Sequence, residues 1–178
     1  MKKEKNEVPM VAFVGISGSG KTTLLQRLIP RLVKDGLKIG CVKHTHHNFE
    51  IDKPGKDSHK LRKAGASQML LGSPYHLAFI AENDSLSDYS LQDFCAHLDK
   101  TRLDLILVEG FGEEDIPKVE VRRSAKSEIK RNRSYNNVIA VVDDFPPEKN
   151  NEMEYFESSN IDALKSFLLD YIGWTRSF

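Results

Sequence analysis

Hydrophobic and polar positions alternate in blocks along the chain. Residues 11–14, Val-Ala-Phe-Val, form an unbroken apolar run that predicts a buried strand. Leu24, Leu25, Leu28 and Leu32 then recur on one helical face, with Gly36 placed to cap the helix end. Pro30 falls inside that helix, where its missing N–H predicts a bend in the last turn. A second apolar run, 37–42, completes a strand, helix and strand, which predicts a right-handed crossover and a parallel sheet. Residues 43–58 are polar and contain a Pro-Gly turn, so they predict a loop, and 58–64 predict a short helix stopped by Gly65. Segments 67–71 and 77–81 predict an inserted hairpin, because Gly72 and Pro74 supply turn chemistry between them. Ser90 with Asp93 opens a helix in the manner of a capping box. Residues 103–111 form the clearest buried strand after the first, with further strands predicted at 118–122 and 138–142. Ile161, Leu164, Phe167, Leu168 and Tyr171 recur at helical spacing and predict a C-terminal helix packed on the sheet. The elements together predict an α/β fold with a mainly parallel sheet.

Composition narrows the class. A chain of 178 residues is expected to form one domain, 1–178. Its 26 basic and 26 acidic residues cancel, which argues against a nucleic-acid binder or a protein drawn to anionic membranes. Only Cys41 and Cys95 are present, and the first ten residues lack the apolar core of a signal peptide, so a reducing cytoplasm is expected. No apolar run approaches the roughly 18 residues needed to span a bilayer. Charge is uneven in the last third: 122–133 holds six basic residues and one acidic, and 143–157 holds six acidic and one basic. Both segments read first as solvated loops; the sharper alternative is that the basic one meets an anionic ligand or partner.

Residues 15–22, Gly-Ile-Ser-Gly-Ser-Gly-Lys-Thr, fit G-x-x-x-x-G-K-[ST], and they lie between a predicted strand and a predicted helix, where a phosphate cradle belongs. Glycines let the backbone curl so that successive N–H groups point at phosphate oxygens, and the helix N-terminus adds partial positive charge. Gly15, Ser17, Gly18, Ser19, Gly20, Lys21, Thr22 and Thr23 are the candidate nucleotide-binding residues. Lys21 would reach the β- and γ-phosphates, and the Thr22 hydroxyl would take a Mg²⁺ position. An ordinary glycine-rich turn is the plainer alternative.

Such a site also needs a carboxylate at the end of a neighbouring strand. Glu109, after Leu-Ile-Leu-Val and before a glycine, is the candidate metal ligand, whereas Asp104 at the opposite end of that run reads as structural. In the 43–58 loop, Lys43 adds positive charge for phosphates, which makes Lys21, Lys43 and Glu109 the catalytic candidates. Asp52 or Asp57 is the further Mg²⁺ candidate, with Asp57 also placed to cap the next helix. His44, His46 and His47 near Cys41 raise a zinc reading, but Cys41 sits in an apolar strand and no second cysteine completes a tetrahedral set. Phosphate contacts or loop packing are the preferred roles for these histidines.

"SGSGKTTLL", "KHTHH", "DKPGKDS", "LRKAGA" and "LDLILVEGF", in this order and spacing, resemble the MobB family of molybdopterin-guanine dinucleotide biosynthesis adapter proteins. The likeness is close over 10–122, looser through "NNVIAVVDD", and fades beyond. It implies a three-layer α/β/α P-loop NTPase that binds GTP with Mg²⁺, hydrolyses it weakly and forms a homodimer. It also implies a partner, the guanylyltransferase that attaches GMP to molybdopterin, with molybdopterin itself a second candidate ligand. The related dethiobiotin synthetase class shares a lysine ending strand two and a "VEG" strand end, which by similarity supports phosphate contact for Lys43 and metal contact for Glu109 and for an aspartate of the 52–57 loop, Asp52 or Asp57. No N-K-x-D stretch is present to read guanine; Asp143 and Asp144 are equally candidate base acceptors or turn residues. No arginine finger or water-orienting glutamine is evident, which fits slow turnover. A small-molecule kinase or dethiobiotin-synthetase-like ligase is the runner-up, and a phosphate-stabilised scaffold the third reading. The 67–81 hairpin is the candidate surface for self-association.

Overall fold

The apolar run near the amino end becomes the third strand of a six-stranded parallel sheet in the computed structural model, which describes residues 7–45, 52–82, 89–123, 134–144 and 153–175. The chain divides into two units, Met1–His44 with Leu91–Phe178, and Thr45–Ser90. In the first unit the strands are β1 (Met10–Val14), β2 (Ile39–Lys43), β5 (Leu105–Glu109), β6 (Lys118–Val121), β7 (Val138–Asp143) and β8 (Glu154–Glu157), in the order β2-β5-β1-β6-β7-β8. The second unit holds β3 (Gln68–Gly72) and β4 (Leu77–Ala81). The helices are α1 (Lys21–Lys34), α2 (Asp57–Lys63, in the second unit), α3 (Leu91–Ala96) and α4 (Ile161–Tyr171).

Side chains of successive strand residues point to opposite faces, and both faces of this sheet are covered, which is why its strands read as unbroken apolar runs. Val11, Phe13, Leu105, Leu107, Val119, Val121, Ala140 and Val142 face α1 and α4, which contribute Leu24, Leu25, Leu28, Leu32, Ile161, Leu164 and Leu168. Ala12, Val14, Val42, Ile106 and Val108 face Leu91 and Cys95 of α3. The result is a three-layer α/β/α fold. Each fully buried leucine of α1 contributes about 2 kcal/mol of transfer free energy. The helix runs through Pro30 to Lys34 and closes at Gly36, whose φ of 95° lets its N–H reach Val33 O (2.9 Å) while Leu37 N–H reaches Leu32 O (3.3 Å).

The first crossover lies in a parallel sheet as expected, with β5 between its strands β1 and β2 and paired to both. The acidic segment 143–157 is not wholly a solvated loop: Glu154–Glu157 pairs with β7 as a parallel edge strand, with Tyr155 and Phe156 half-buried and Phe156 packed 5.4 Å from Phe167. Lys118 opens β6 with no exposed surface. Its ammonium, with three N–H donors, lies within hydrogen-bond reach of four oxygens, the carbonyls of Glu114, Ile116 (3.1 Å) and Asn136 (3.1 Å) and Asn136 Oδ1 (2.8 Å), stapling the segment before β6 to the one before β7. Burial pulls its pKa below the ordinary lysine value, with Asp115, Glu113 and Glu114 acting against that shift.

In the second unit, β3 and β4 form the expected antiparallel hairpin, with Leu70 opposite Phe79 and Gly72 opposite Leu77. The turn is tied by Ser73, whose N–H reaches His76 O (2.8 Å) and whose hydroxyl oxygen accepts from His76 N–H (3.0 Å). α2 starts at Asp57, one residue earlier than expected, with Lys56 at the cap position. Leu70, Leu77 and Phe79 leave an exposed apolar face within this unit. Among the described residues, no helix is long and apolar enough to cross a membrane.

Candidate functional site

β1 ends under a turn that leads directly into α1. Gly15 adopts φ 143°, and a Cβ there would stand 2.3 Å from the Val121 carbonyl oxygen and 2.9 Å from Ser19 Oγ, so the turn lies on the end of β6 and accepts only glycine at that point. Gly20, at φ 96°, is the N-cap of α1 and brings no side chain to the helix end. With no capping side chain from Gly20, that end of α1 is suited to receive an anion. Ser17, Gly18, Thr22 and Thr23 are exposed around this end. Ser19 differs from its neighbours: its N–H reaches Ile16 O (3.2 Å), and its hydroxyl is buried without a hydrogen-bond partner among the described residues.

Lys21 folds back over the turn, donating to Gly15 O (3.0 Å) and Ile16 O (2.9 Å). Desolvation pulls its pKa below the usual lysine value; Glu109 opposes that shift and Lys43 adds to it. An ammonium partly stripped of water and aimed at carbonyl oxygens gains by receiving a full anion.

The parallel register sets Glu109 of β5 beside Lys43 of β2 on one side and Phe13 of β1 on the other. Thr22 Oγ1 donates to Glu109 Oε1 (2.9 Å) and Oε2 (3.0 Å), and Lys43 Nζ reaches Glu109 Oε1 (2.9 Å) and Thr22 Oγ1 (3.3 Å). The Glu109 side chain is 14% exposed and that of Lys43 57%. A hydroxyl and a carboxylate in contact are hard oxygen donors, and the carboxylate holds a cation here already, so the pair fits a divalent ion such as Mg²⁺. Lys21, Thr22, Lys43 and Glu109 therefore lie together.

Beneath Glu109 the backbone is strained. Gly110 and Phe111 have φ of 108° and 53°, the second unusual for an aromatic residue. His44 stacks on Phe111 with ring centroids 4.9 Å apart, Phe94 meets Phe111 at 5.5 Å, and His44 N–H donates to Glu109 O (3.0 Å). This wedge holds the Glu109 turn, and it gives His44 a packing role; His46 and His47 lie outside the described residues. Asp104 is structural as expected, its Oδ2 accepting from Lys38 N–H (2.8 Å).

Asp52 and Asp57 belong to the second unit. There Asp52 accepts from Ser58 Oγ (2.9 Å) and stands 3.7 Å from Arg62, and Asp57 is exposed with Lys60 at 3.1 Å. Asp143 is buried at the end of β7; Asp144 beyond it accepts from Ser158 Oγ and faces Arg123 at 3.9 Å. Arg123 went unread in the sequence except as part of a basic run. A Cβ built on Gly20 would stand 3.8 Å from both its Nε and its Nη2.

Comparison with known proteins decides the family. The family model for molybdopterin guanine dinucleotide synthesis protein B, MobB, matches residues 10–144. This chain belongs to the MobB family. The match spans the glycine turn, Lys43, the second unit, Glu109 and Asp144. The molybdopterin-guanine dinucleotide biosynthesis adapter protein of Escherichia coli (strain K12) is 38% identical over 169 residues, covering 94% of this chain and 95% of that protein. The protein of the same name from Haemophilus influenzae is 43% identical over 120 residues, covering 66% of this chain and 65% of that one. Among solved structures, the crystal structure of Bacillus subtilis MobB superposes with a TM-score of 0.73 at 26% identity, over 90% of this chain and 96% of that chain. The MobB fold and the α/β/α layering described above therefore agree.

Proposed function

We propose that this protein is a GTP-binding adapter in the biosynthesis of molybdopterin guanine dinucleotide, with slow GTP hydrolysis of its own. The observation that carries the reading is the contact among Thr22, Lys43 and Glu109 beside the Lys21 turn. Backbone N–H groups of Gly18, Gly20, Thr22 and Thr23 hold the phosphates, Lys21 and Lys43 neutralise them, and Thr22 with Glu109 holds Mg²⁺. The Mg²⁺ ion would supply charge neutralisation at the terminal phosphates. Gly15 and Ser19 contribute by shaping the turn, since both pack beneath it.

Positioning and neutralisation are present, whereas a glutamine that orients the attacking water is not evident from the sequence. Steady-state GTP turnover by the isolated protein is expected below about 1 s⁻¹, under the range of working kinases. A phosphate-release assay giving a faster rate with no partner added would contradict the adapter reading. The partner is the molybdopterin guanylyltransferase, in keeping with the word adapter in the names of the relatives above.

The protein is also proposed to act as a homodimer through the hairpin of its second unit. Leu70, Leu77 and Phe79, 63%, 75% and 40% exposed, share one face of the two-stranded sheet and leave it apolar, a surface that a second copy can cover. Leu70→Lys is expected to move the light-scattering mass from two chains to one. A persistent dimer in that variant would place the interface elsewhere.

A further inference from the structure

We propose that Arg123 is a phosphate-binding residue, supplying a guanidinium to the nucleotide from the flank of the glycine turn opposite Glu109. The proposal rests on the nucleotide reading above and adds a residue to it. Its basis is the order of the strands. β1, which leads into the turn, lies between β5 and β6. β5 carries Glu109 and, through β2, brings Lys43 alongside. β6 ends at Val121, whose carbonyl underlies Gly15, and the next two residues continue past the turn. Arg122 and Arg123 thus reach the same crevice from the other side, at the carboxyl ends of the strands where ligands of open α/β sheets bind.

The two arginines are used differently. Arg122 is committed: its Nη2 donates to Glu120 Oε2 at 2.7 Å, and its backbone N–H is held by Val142 O at 2.8 Å. Arg123 lies over Gly20, the residue that caps α1, with half its side chain exposed. Its ion-pair partner among the described residues is Asp144 at 3.9 Å, a separation too long for a hydrogen bond. A guanidinium has five N–H donors in a planar fork that matches two phosphate oxygens at once. Arg123 therefore stands beside the first N–H groups of α1 with donors to spare and little to break on binding.

Position also predicts which phosphates it serves. Lys21, Lys43 and Glu109 gather toward β5, where the terminal phosphate and its metal belong. Arg123 approaches from β6, so its contact falls on the phosphates nearer the sugar, which GTP and GDP share.

The test is calorimetric titration of GTP and of GDP, each with Mg²⁺, into the wild type and into Arg123→Ala, Arg123→Lys, Lys21→Ala and Arg31→Ala. Arg31 pairs with Asp162 in the last turn of α1, about 15 Å along the helix from Lys21, and controls for the loss of one positive charge. Arg123→Ala is expected to weaken GTP and GDP alike, by roughly ten- to a hundredfold. Arg123→Lys should lie between it and the wild type, because a point charge replaces the fork. Arg31→Ala should stay within about twofold, as expected for an exposed pair. Unchanged affinity in Arg123→Ala would overturn the proposal if the wild type binds and Lys21→Ala does not. So would a loss confined to GTP, or an equal loss in Arg31→Ala. A wild type that binds neither nucleotide would instead overturn the nucleotide reading itself.

Discussion

Lys21→Ala is expected to lower GTP affinity by roughly a thousandfold while leaving the fold intact. The ammonium makes two hydrogen bonds to carbonyls of its own turn, and a phosphate replaces those neutral acceptors with anionic oxygens. Hydrogen bonds to charged groups are worth about 1.5–3 kcal/mol each, so two of them account for about 3–6 kcal/mol, or two to four powers of ten. The variant removes a half-buried cation that is costly to desolvate in the free protein, so its melting temperature should change little. Calorimetry measures the first effect and thermal unfolding the second.

The same residue predicts a pH dependence. Desolvation holds the Lys21 pKa below 10.5 in the free protein, and a bound anion raises it. A group whose pKa rises on binding contributes its full affinity below the free-state pKa and loses it as pH climbs through the bound-state value. GTP affinity should therefore fall on the alkaline side, with proton uptake on binding as that limb is approached. Lys21→Ala should flatten that limb.

Glu109→Gln is the second large effect. Its carboxylate is shared by Thr22 and Lys43 and is 14% exposed, and glutamine keeps the shape and an acceptor oxygen while removing the charge. Loss of a partner that merely supports a metal ligand typically costs ten- to a hundredfold in metal affinity. A carboxylate facing the ion should cost at least the upper figure, so the Mg²⁺ concentration needed for half-maximal GTP binding should rise about a hundredfold. Titrating Mg²⁺ at fixed GTP reads this directly. An unchanged Mg²⁺ requirement would remove Glu109 from the metal site.

The parts of the fold readable in the sequence were those whose residues have few alternatives. The turn at Gly15 could be read because a Cβ there would meet backbone, and the core strands because both of their faces are covered. Glu109 could be read because a charged residue ending an apolar run must face the crevice. Features created by partners distant in the chain stayed hidden. β8 holds two apolar residues between glutamates, and its pairing with β7 supplies what the pattern lacks. Lys118 reads as a surface lysine until the paths of 114–116 and Asn136 bring their oxygens around it. The left-handed Phe111 depends on rings from two other elements, and Arg123 acquires meaning only once β6 is known to lie beside β1.

The central claim is that the turn from Gly15 to Thr22 grips the phosphate tail of GTP. The most direct measurement is a crystal structure of the protein saturated with a non-hydrolysable GTP analogue and Mg²⁺. The expected result is phosphate density against the N–H groups at the start of α1 and within reach of Lys21, with the metal between Thr22 and Glu109. An empty turn, or the analogue bound elsewhere at full occupancy, would contradict the account.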